Sequence, residues 1–354
     1  DPEGLKSPGA ASAGDGQQLI DYNVVAQRLG WLPSAPHFNE NPLEIVRKAE
    51  ADGATSEEEV ANHVVQRLKS GDLAFAGEDV DNPQNYPRNL FVWRSNLLGC
   101  SAKGHEYFLK HLLGAQNGVM ADADPPAGRP EEVAWHDEAP TGKLDLLVDI
   151  NFRMNSTGLH SDIVLPTATW YEKNDLNTSD MHPFIHPLSE VVNPLWEAKS
   201  DWDIFKALSA KFSELAADHL GTQKDLVAMP MQHDTAAEIA QPFDVQDWKK
   251  GECEPVPGKT LPILKVVERD YANTGHKFIS LGPLMESAGN AVKGVAWETG
   301  QEIEELRHHI GTVESEGVGQ GQPSLESDVQ AADALMAMAP ETNGEVAHRT
   351  WSKL

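Results

Sequence analysis

The sequence contains only two cysteines, Cys100 and Cys253, in 354 residues. Two thiols cannot form a disulfide framework, and they cannot supply the ligands of a cysteine-bound iron–sulfur cluster. The chain also lacks a run of about 18 apolar residues, so no segment is predicted to insert directly into a membrane. Its first residues, Asp1–Gly16, combine neither basic nor strongly apolar character, and they are not predicted to be a signal peptide.

Positive charge is scarce as well. The chain has 28 lysines and arginines against 55 aspartates and glutamates, which gives a net charge of −27. This balance argues against nucleic acid as a partner, because binding to phosphates needs clustered basic residues. The sequence contains none of the common nucleotide-loop, nucleophile-elbow or zinc-protease motifs, so it predicts no catalytic residue. His182 and His186 are four residues apart, but Pro183 disfavours the helix that would align them, and no metal ligand is predicted.

The apolar pattern predicts an α/β fold with a doubly wound, mostly parallel sheet, flanking helices and a largely irregular or helical C-terminal extension. Near-continuous apolar runs predict strands at 89–94, 144–150 and 162–165, in a sheet covered on both faces. Capping residues and periodic apolar positions predict helices at 41–51, 55–69, 105–113, 200–217, 302–309 and 329–338. Ser56 and Glu59 form a capping-box pattern at the start of the second of these helices, and Ser200 is the predicted cap of the fourth. In the helix at 200–217, the stripe Phe205, Leu208, Phe212 and Leu215 is expected to be buried.

Composition divides the chain into three parts. Residues 1–88 are expected to be a helical and loop lead-in, residues 89–221 an α/β ligand-binding region, and residues 222–354 an extension of helices and loops. Two stretches, 1–20 and 117–142, are predicted loops because small, polar and proline residues accumulate there. The absence of a starting Met and of a tail-like end suggests a piece of a larger polypeptide.

Polar residues follow the first two predicted strands, where open α/β sheets bind nucleotide-like ligands. Ser95-Asn96 come after the first strand, and Asn151 follows Ile150 at the end of the second. An asparagine can read a base edge or a ribose hydroxyl, but it is as often a turn residue. Asp149 could bind ribose too, or its side chain could point into the sheet layer.

Charged residues follow the third strand. Lys173, next to Glu172, could bind a phosphate or a base carbonyl, and the alternative is an ordinary surface pair. Asp201 is predicted in the first turn of a helix, where the helix dipole already favours a carboxylate. The sharper alternative for Asp201 is a pairing with the ring N–H and amino group of a guanine base.

The spacing of these elements resembles a known family. Ser161–Pro166 (SDIVLP), Glu172-Lys173 and Pro194–Asp201 (PLWEAKSD) look like the corresponding pattern of the molybdopterin oxidoreductases. The polar turn at 174–180 and the sequence to about residue 260 are similar to the catalytic (alpha) subunits of membrane-bound respiratory nitrate reductases. The resemblance covers nearly the whole chain from about residue 20, and it identifies the chain as an internal fragment.

The resemblance implies a site for one arm of a molybdenum bis(molybdopterin guanine dinucleotide) cofactor. Carried over by position, the implied contacts are Ser95, Asn96, Ile150, Asn151, Lys173 and Asp201. Ile150 can contribute only its backbone, and the contact from Asn151 would be neutral. In such enzymes the ligands of a [4Fe–4S] cluster and of molybdenum lie elsewhere in the polypeptide, so the isolated chain is expected to be inactive.

The family further implies a parent enzyme that reduces nitrate to nitrite in anaerobic respiration. Its partners would be an iron–sulfur beta subunit and a membrane haem gamma subunit, and it would lie at the cytoplasmic face of the membrane. One alternative is a related enzyme that acts on chlorate, selenate or a hydrocarbon. Another is a nucleotide-binding or structural module without catalysis.

Overall fold

The computed structural model describes residues 19–32, 36–100, 105, 107–115, 142–179, 181–231, 245–292 and 295–353. The loops predicted at 1–18 and 117–141 lie outside these residues. The loop prediction for the two residues that follow, Leu19 and Ile20, is wrong, because they begin a helix. That helix buries Val24 and Val25, and Leu29 directly after it is buried as well.

Within the described residues, three α-helices precede the first strand, and strands and helices are interspersed after it. The helices are α1 (Leu19–Arg28), α2 (Pro42–Ala51), α3 (Glu57–Ser70), α4 (Leu97–Cys100), α5 (Ser156–His160), α6 (Asp201–His219), α7 (Thr274–Phe278), α8 (Pro283–Ala288), α9 (Gly300–His309), α10 (Asp328–Met338) and α11 (Glu345–Trp351), with a π-helical turn at Tyr107–Leu112. The strands are β1 (Asn89–Trp93), β2 (Leu146–Asn151), β3 (Ile163–Pro166), β4 (Asp175–Ser179), β5 (His182–Leu188), β6 (Thr222–Met229), β7 (Ile263–Asp270), β8 (Asn290–Val292) and β9 (Val295–Trp297).

The α/β class with a parallel sheet and flanking helices is confirmed. Strands β1, β2 and β3 form a sheet in that order, and β2 pairs with β3 in parallel, with Val148 opposite Ile163 and Ile150 opposite Leu165. The central strand β2 is buried on both faces, as expected of a parallel strand. The prediction is wrong for β1 and β3, because Trp93 and Ile163 are about half exposed in the described residues.

By internal contacts the chain forms two compact units, each assembled from separate stretches of sequence. The first consists of Asp1–Leu90, Leu98–Leu146 and Gln223–Arg269. Its core joins α2 and α3 to β6 and β7. The predicted capping box is confirmed at the start of α3, where Ser56 and Glu59 exchange hydrogen bonds. Gly71 ends α3 in the left-handed region.

The second unit consists of Phe91–Leu97, Leu147–Thr222 and Asp270–Leu354. It contains the sheet, α6 and the C-terminal helices, of which α9 and α10 pack through Ile303, Leu306 and Met338. The predicted helix cap at Ser200 is confirmed, since its hydroxyl accepts from the N–H of Asp203 at 3.1 Å.

The predicted buried stripe of α6 is wrong. Its buried apolar residues are Ile204 and Ala216, whereas Leu208, Phe212 and Leu215 are exposed. The helix turns its other side toward α7, where Gly275 lies so close that an added Cβ would be 3.0 Å from the Cα of Ala210. This contact with a short helix selects a different face from the one that apolar periodicity favours.

Two predictions for irregular structure are also wrong. The polar turn at 174–180 instead contributes β4, which pairs antiparallel with β5. Residues 222–354, expected to be an extension of helices and loops, also contain the strand pairs β6–β7 and β8–β9. In the part of the chain that the structure describes, no helix combines the length and apolar character needed to cross a membrane.

Candidate functional site

The candidate site begins at the edge of the sheet where the parallel strands end. Arg94 follows β1 with a φ of 56°, which turns the chain sharply after the strand. Its N–H donates to the carbonyl oxygen of Ile150 over 2.9 Å, and the N–H of Thr167 donates to the carbonyl oxygen of Asn151 over 3.0 Å. The loops that leave the three strands therefore start side by side, which is the position of ligand sites in open α/β sheets.

Ser95 and Asn151 lie together at this edge. The amide nitrogen of Asn151 is 3.4 Å from the carbonyl oxygen of Ser95 and 3.5 Å from Oδ1 of Asp149. The amide oxygen of Asn151 accepts from the N–H of Arg153 at 3.4 Å. Asn151 thus connects the loop after β1 to the loop after β2.

Asn96 connects the same two loops one residue further along. Its side-chain oxygen accepts from the N–H of Thr157 at 3.3 Å and from the Thr157 hydroxyl at 3.2 Å. Thr157 lies in the first turn of α5, which Asn155 also caps. Asn96 therefore orders the start of α5.

The Ile150 side chain is completely buried. Its carbonyl oxygen already accepts from Arg94, and a carbonyl oxygen has capacity for a second donor. Asp149, one residue earlier, is also fully buried. The side chain of Asp149 therefore points into the sheet layer, which was one of the two alternatives for it.

Lys173 and Asp201 form a buried ion pair, although 28 residues separate them in the sequence. The chain returns to the sheet because Thr167 bridges to Lys199, and the N–H of Ala168 donates to the carbonyl oxygen of Lys199 over 2.8 Å. This return places the start of α6 beside the end of β3. The ammonium of Lys173 also lies 3.1 Å from a carboxylate oxygen of Asp175.

The carboxylate of Asp201 has a second donor in Trp93, whose indole N–H donates to Oδ1 over 2.7 Å. Burial by itself would raise the pKa of Asp201, but the hydrogen bonds from Lys173 and Trp93 and the charge of Arg94 outweigh it. The pKa of Asp201 is therefore below its usual range, and the group is a carboxylate at neutral pH.

Sequence reasoning missed Trp93 and Arg94. Trp93 is the last residue of β1, and its ring contacts that of Phe205 edge-on, with 5.3 Å between centroids. A tryptophan has an N–H donor at the end of a large apolar ring, so its position two residues before Ser95 was the signal that could have found it. Arg94 carried no comparable signal, since only the folded chain brings its charge to Asp201.

Glu172, the neighbour of Lys173, has a local structural role. Its carboxylate accepts from the N–H of Thr169 at 2.9 Å and from the Thr169 hydroxyl at 3.1 Å, which closes a turn after β3. Along β5, the rings of His182 and His186 meet edge-on with 5.2 Å between centroids. Among the described residues, no three histidine, cysteine or acidic side chains are grouped so that they could hold a metal ion.

Comparison with known proteins bears on what this edge of the sheet binds. The family model for molybdopterin oxidoreductases matches residues 23–211, more than half of the chain. The chain belongs to that family. A second model, nitrate reductase alpha chain domain V, matches residues 288–354.

Individual relatives agree with the family models. The chain is 54% identical to the respiratory nitrate reductase 1 alpha chain of Escherichia coli (strain K12), over 99% of its length and 28% of the relative. It is 51% identical to the nitrate reductase alpha chain of Bacillus subtilis (strain 168), again over 99% of its length and 28% of the relative. The perchlorate reductase subunit alpha of Dechloromonas aromatica (strain RCB) is 38% identical over 47% of this chain and 15% of the relative. The chain thus spans less than a third of the length of the nitrate reductase chains that it matches.

Proposed function

We propose that this chain forms one side of the cofactor site in the catalytic subunit of a molybdenum-dependent nitrate reductase, and that the cofactor is the bis(molybdopterin guanine dinucleotide) form. Identity of 54% to a respiratory nitrate reductase alpha chain over 99% of this chain is the observation that carries the proposal. The polar groups gathered at the carboxyl edge of the sheet support this edge as the position of the site.

The side chains at this edge suit a guanine nucleotide. A carboxylate can accept about four hydrogen bonds, and Asp201 uses its two oxygens for one donor each, Trp93 and Lys173. Asp201 therefore retains capacity for the two adjacent N–H groups of guanine. Ser95, Asn96 and Asn151 offer a hydroxyl and amides of the kind that bind a ribose.

Lys173 supports the same ligand in a second way. Its ammonium is a point charge that can act on a phosphate or a base carbonyl. Because Lys173 is also the partner of Asp201, it keeps that carboxylate ionised and correctly turned. Ile150 would contribute only its carbonyl oxygen. All of these residues bind and orient the cofactor.

The bound molybdenum cofactor would supply the two-electron, oxygen-transfer chemistry that converts nitrate to nitrite. This chain would contribute recognition of the nucleotide arm, and the ligands of molybdenum and of a [4Fe–4S] cluster would come from other parts of the polypeptide. The partners in this proposal are an iron–sulfur beta subunit and a membrane haem gamma subunit. The complex would lie at the cytoplasmic face of the membrane.

Nitrate is preferred over a chlorine oxyanion as the substrate because of the comparisons. The nitrate reductase alpha chains match across nearly the whole chain at 51–54% identity, while the perchlorate reductase subunit matches 47% of it at 38%. The purified parent enzyme should therefore reduce nitrate faster than perchlorate with the same electron donor. Faster perchlorate reduction would assign it to the related branch.

The cofactor role is tested in the full-length parent enzyme with Asp201→Ala and Lys173→Ala. A charged hydrogen bond contributes about 1.5–3 kcal/mol, so either variant should weaken nucleotide binding by roughly 10- to 100-fold. Molybdenum content and the GMP released by acid hydrolysis, both per mole of protein, report occupancy. Lys211→Ala is the matched control, since Lys211 lies on α6 in an exposed pair with Glu214.

Wild-type GMP and molybdenum content in both variants would contradict the proposed contacts. An equally large fall in GMP and molybdenum content in the Lys211→Ala control would instead point to a general effect on α6. The isolated chain should not reduce nitrate with a reduced viologen dye, because the proposal assigns the metal ligands to the rest of the polypeptide.

A further inference from the structure

Asp149 is a carboxyl group buried at the centre of the sheet. It lies on the middle strand β2 opposite Val164 of β3, and its exposed fraction is 0%. Its Oδ2 atom has no hydrogen-bond partner among the residues that the structure describes. Burial raises the pKa of Asp149 above its usual range, although the hydrogen bond from Asn151 acts in the opposite direction.

The surrounding chain leaves room for this carboxyl group. A Cβ atom at Gly158 would lie 3.0 Å from Oδ2 of Asp149 and 3.0 Å from the sulfur of Met154. Helix α5 therefore approaches β2 closely at the one residue of its turn that has no side chain. The space that Asp149 occupies depends on a glycine, which suggests a use for the carboxyl group beyond filling volume.

The only side-chain group that hydrogen-bonds Asp149 in the described residues is the amide of Asn151. The nitrogen of that amide lies between two oxygens, Oδ1 of Asp149 and the carbonyl oxygen of Ser95. A carbonyl oxygen can only accept, so the nitrogen must face inward. The amide oxygen then faces the loop after β2, where it accepts from the N–H of Arg153.

We infer that Asp149 is a positioning residue that fixes the amide of Asn151 with its oxygen toward the ligand. This inference rests on the proposed function, and it specifies the group that is recognised. An outward oxygen accepts from a hydroxyl, as a ribose provides, and it repels a phosphate. Asn151 would consequently read the sugar of the nucleotide and leave the phosphates to other residues.

If Asp149 served only to stabilise the fold, its replacement would lower the melting temperature. The expectation for a positioning residue is different. A buried polar group without a full set of partners costs stability, and its replacement by an apolar side chain of similar shape is often neutral or stabilising. Asp149→Leu should therefore leave the melting temperature of the cofactor-free enzyme unchanged or raise it. If Asp149 positions Asn151, the same variant should lose cofactor faster.

The experiment measures two quantities in the full-length enzyme: the rate at which bound GMP-containing cofactor is lost, and the melting temperature of the cofactor-free form. A neutral hydrogen bond corresponds to roughly a fivefold change, so Asp149→Leu and Asn151→Leu should each raise the loss rate about fivefold. The double variant should lose cofactor no faster than Asn151→Leu alone. Asp149→Asn should lose cofactor at close to the wild-type rate, because the carbonyl oxygen of the new side chain can still accept from Asn151.

Each other outcome overturns a specific statement. A wild-type loss rate in Asp149→Leu, with a raised rate in Asn151→Leu, would refute the positioning role and leave the proposed site intact. A wild-type rate in Asn151→Leu would refute the proposed contact itself. If both Asp149→Leu and Asp149→Asn lower the melting temperature and also lose cofactor faster, the role of Asp149 is structural only. If Asp149→Leu does not fold, Gly158→Ala, which crowds the carboxyl group, should raise the loss rate, and an unchanged rate would refute the inference.

Discussion

Arg28 and Asp247 form a buried ion pair in the first unit, and its disruption is a demanding test of the structure. The guanidinium donates from Nε to Oδ1 of Asp247 over 3.0 Å and from Nη2 to the other carboxylate oxygen. The two side chains are only 1% and 2% exposed. Glu78 lies 3.4 Å from the same guanidinium. Two elements far apart in sequence are thus joined at a point that water does not reach.

Replacement of Arg28 by Met keeps most of the side-chain volume and removes the charge. Asp247 would then keep the backbone N–H of Lys249, at 3.0 Å, as a donor, while its charge would lose the main compensating partner. Breaking a buried pair in this way typically costs about 3–5 kcal/mol. Arg269→Met is the control, because Arg269 pairs with Asp225 over 2.6 Å but is about half exposed, and an exposed pair contributes about 0–1 kcal/mol.

Hydrogen exchange of the folded protein, measured on peptides that cover 19–32 and 245–253, gives the free energy of opening at both sides of the pair. In wild type, burial would raise the pKa of Asp247, but the hydrogen bonds and charge of Arg28 hold it below its usual range. The stabilisation from this lowered pKa is present above the unfolded pKa and is lost as the pH falls through the folded one. In Arg28→Met the pKa of Asp247 should rise instead. The loss of opening free energy relative to wild type should therefore shrink as acid protonates Asp247. A loss of opening free energy in Arg28→Met as small as that in Arg269→Met would refute this reasoning.

Two further predictions concern backbone positions in the same unit. Ser56→Ala removes the cap of α3 and should lower the opening free energy of peptides in 57–70 by about 1 kcal/mol, whereas Ser56→Gly should cost only a few tenths; equal losses would contradict the cap. Gly30→Ala should cost more than about 1 kcal/mol, because Gly30 has a φ of 80° and its added Cβ would lie 3.0 Å from the Cα of Pro262. Gly53 also has a positive φ, 102°, but a Cβ added there would have no atom within 4 Å. Gly53→Ala should therefore cost less than Gly30→Ala, because it introduces backbone strain without the close contact.

Local sequence signals accounted for the elements whose causes are local. The helix α3 followed from the Ser56–Glu59 capping box and from four valine and leucine positions on one face, all of which are buried. The cap of α6 followed from Ser200 in the same way. The strands β1, β2 and β3 were found within one or two residues, because short apolar runs between turn residues are typical of a parallel sheet.

The elements that were missed depend on distant partners. The hairpin of β4 and β5 is built from polar and proline-containing sequence that lacks strand periodicity. Just before it, the N–H of Asn174 donates over 3.2 Å to a carboxylate oxygen of Asp328, which is 154 residues away. The exposed side of α6 was predicted as buried because periodicity indicates an apolar face without stating which neighbour covers it. The contact of α6 with α7 decides that orientation, and α7 is about 55 residues further along the chain.

The candidate site divides in the same way. The resemblance supplied Ser95, Asn96, Asn151, Lys173 and Asp201, and the structure gathers them along one edge of the sheet. The resemblance could not indicate that Trp93 donates to Asp201, since that contact spans 108 residues. Nor could it show that Asp149 is inside the sheet, because strand alternation allowed either face.

By itself the sequence determined the class of fold, the family and the residue types at each strand end, since these depend on local patterns and on spacing along the chain. The tertiary structure alone decided which of those residues meet, in which direction the pKa of each buried carboxyl group shifts, and which way the Asn151 amide faces. These properties arise from burial and from neighbours distant in sequence, and a carboxyl group such as Asp149 or Asp201 acquires its character only when the fold removes water from it and supplies, or withholds, a donor.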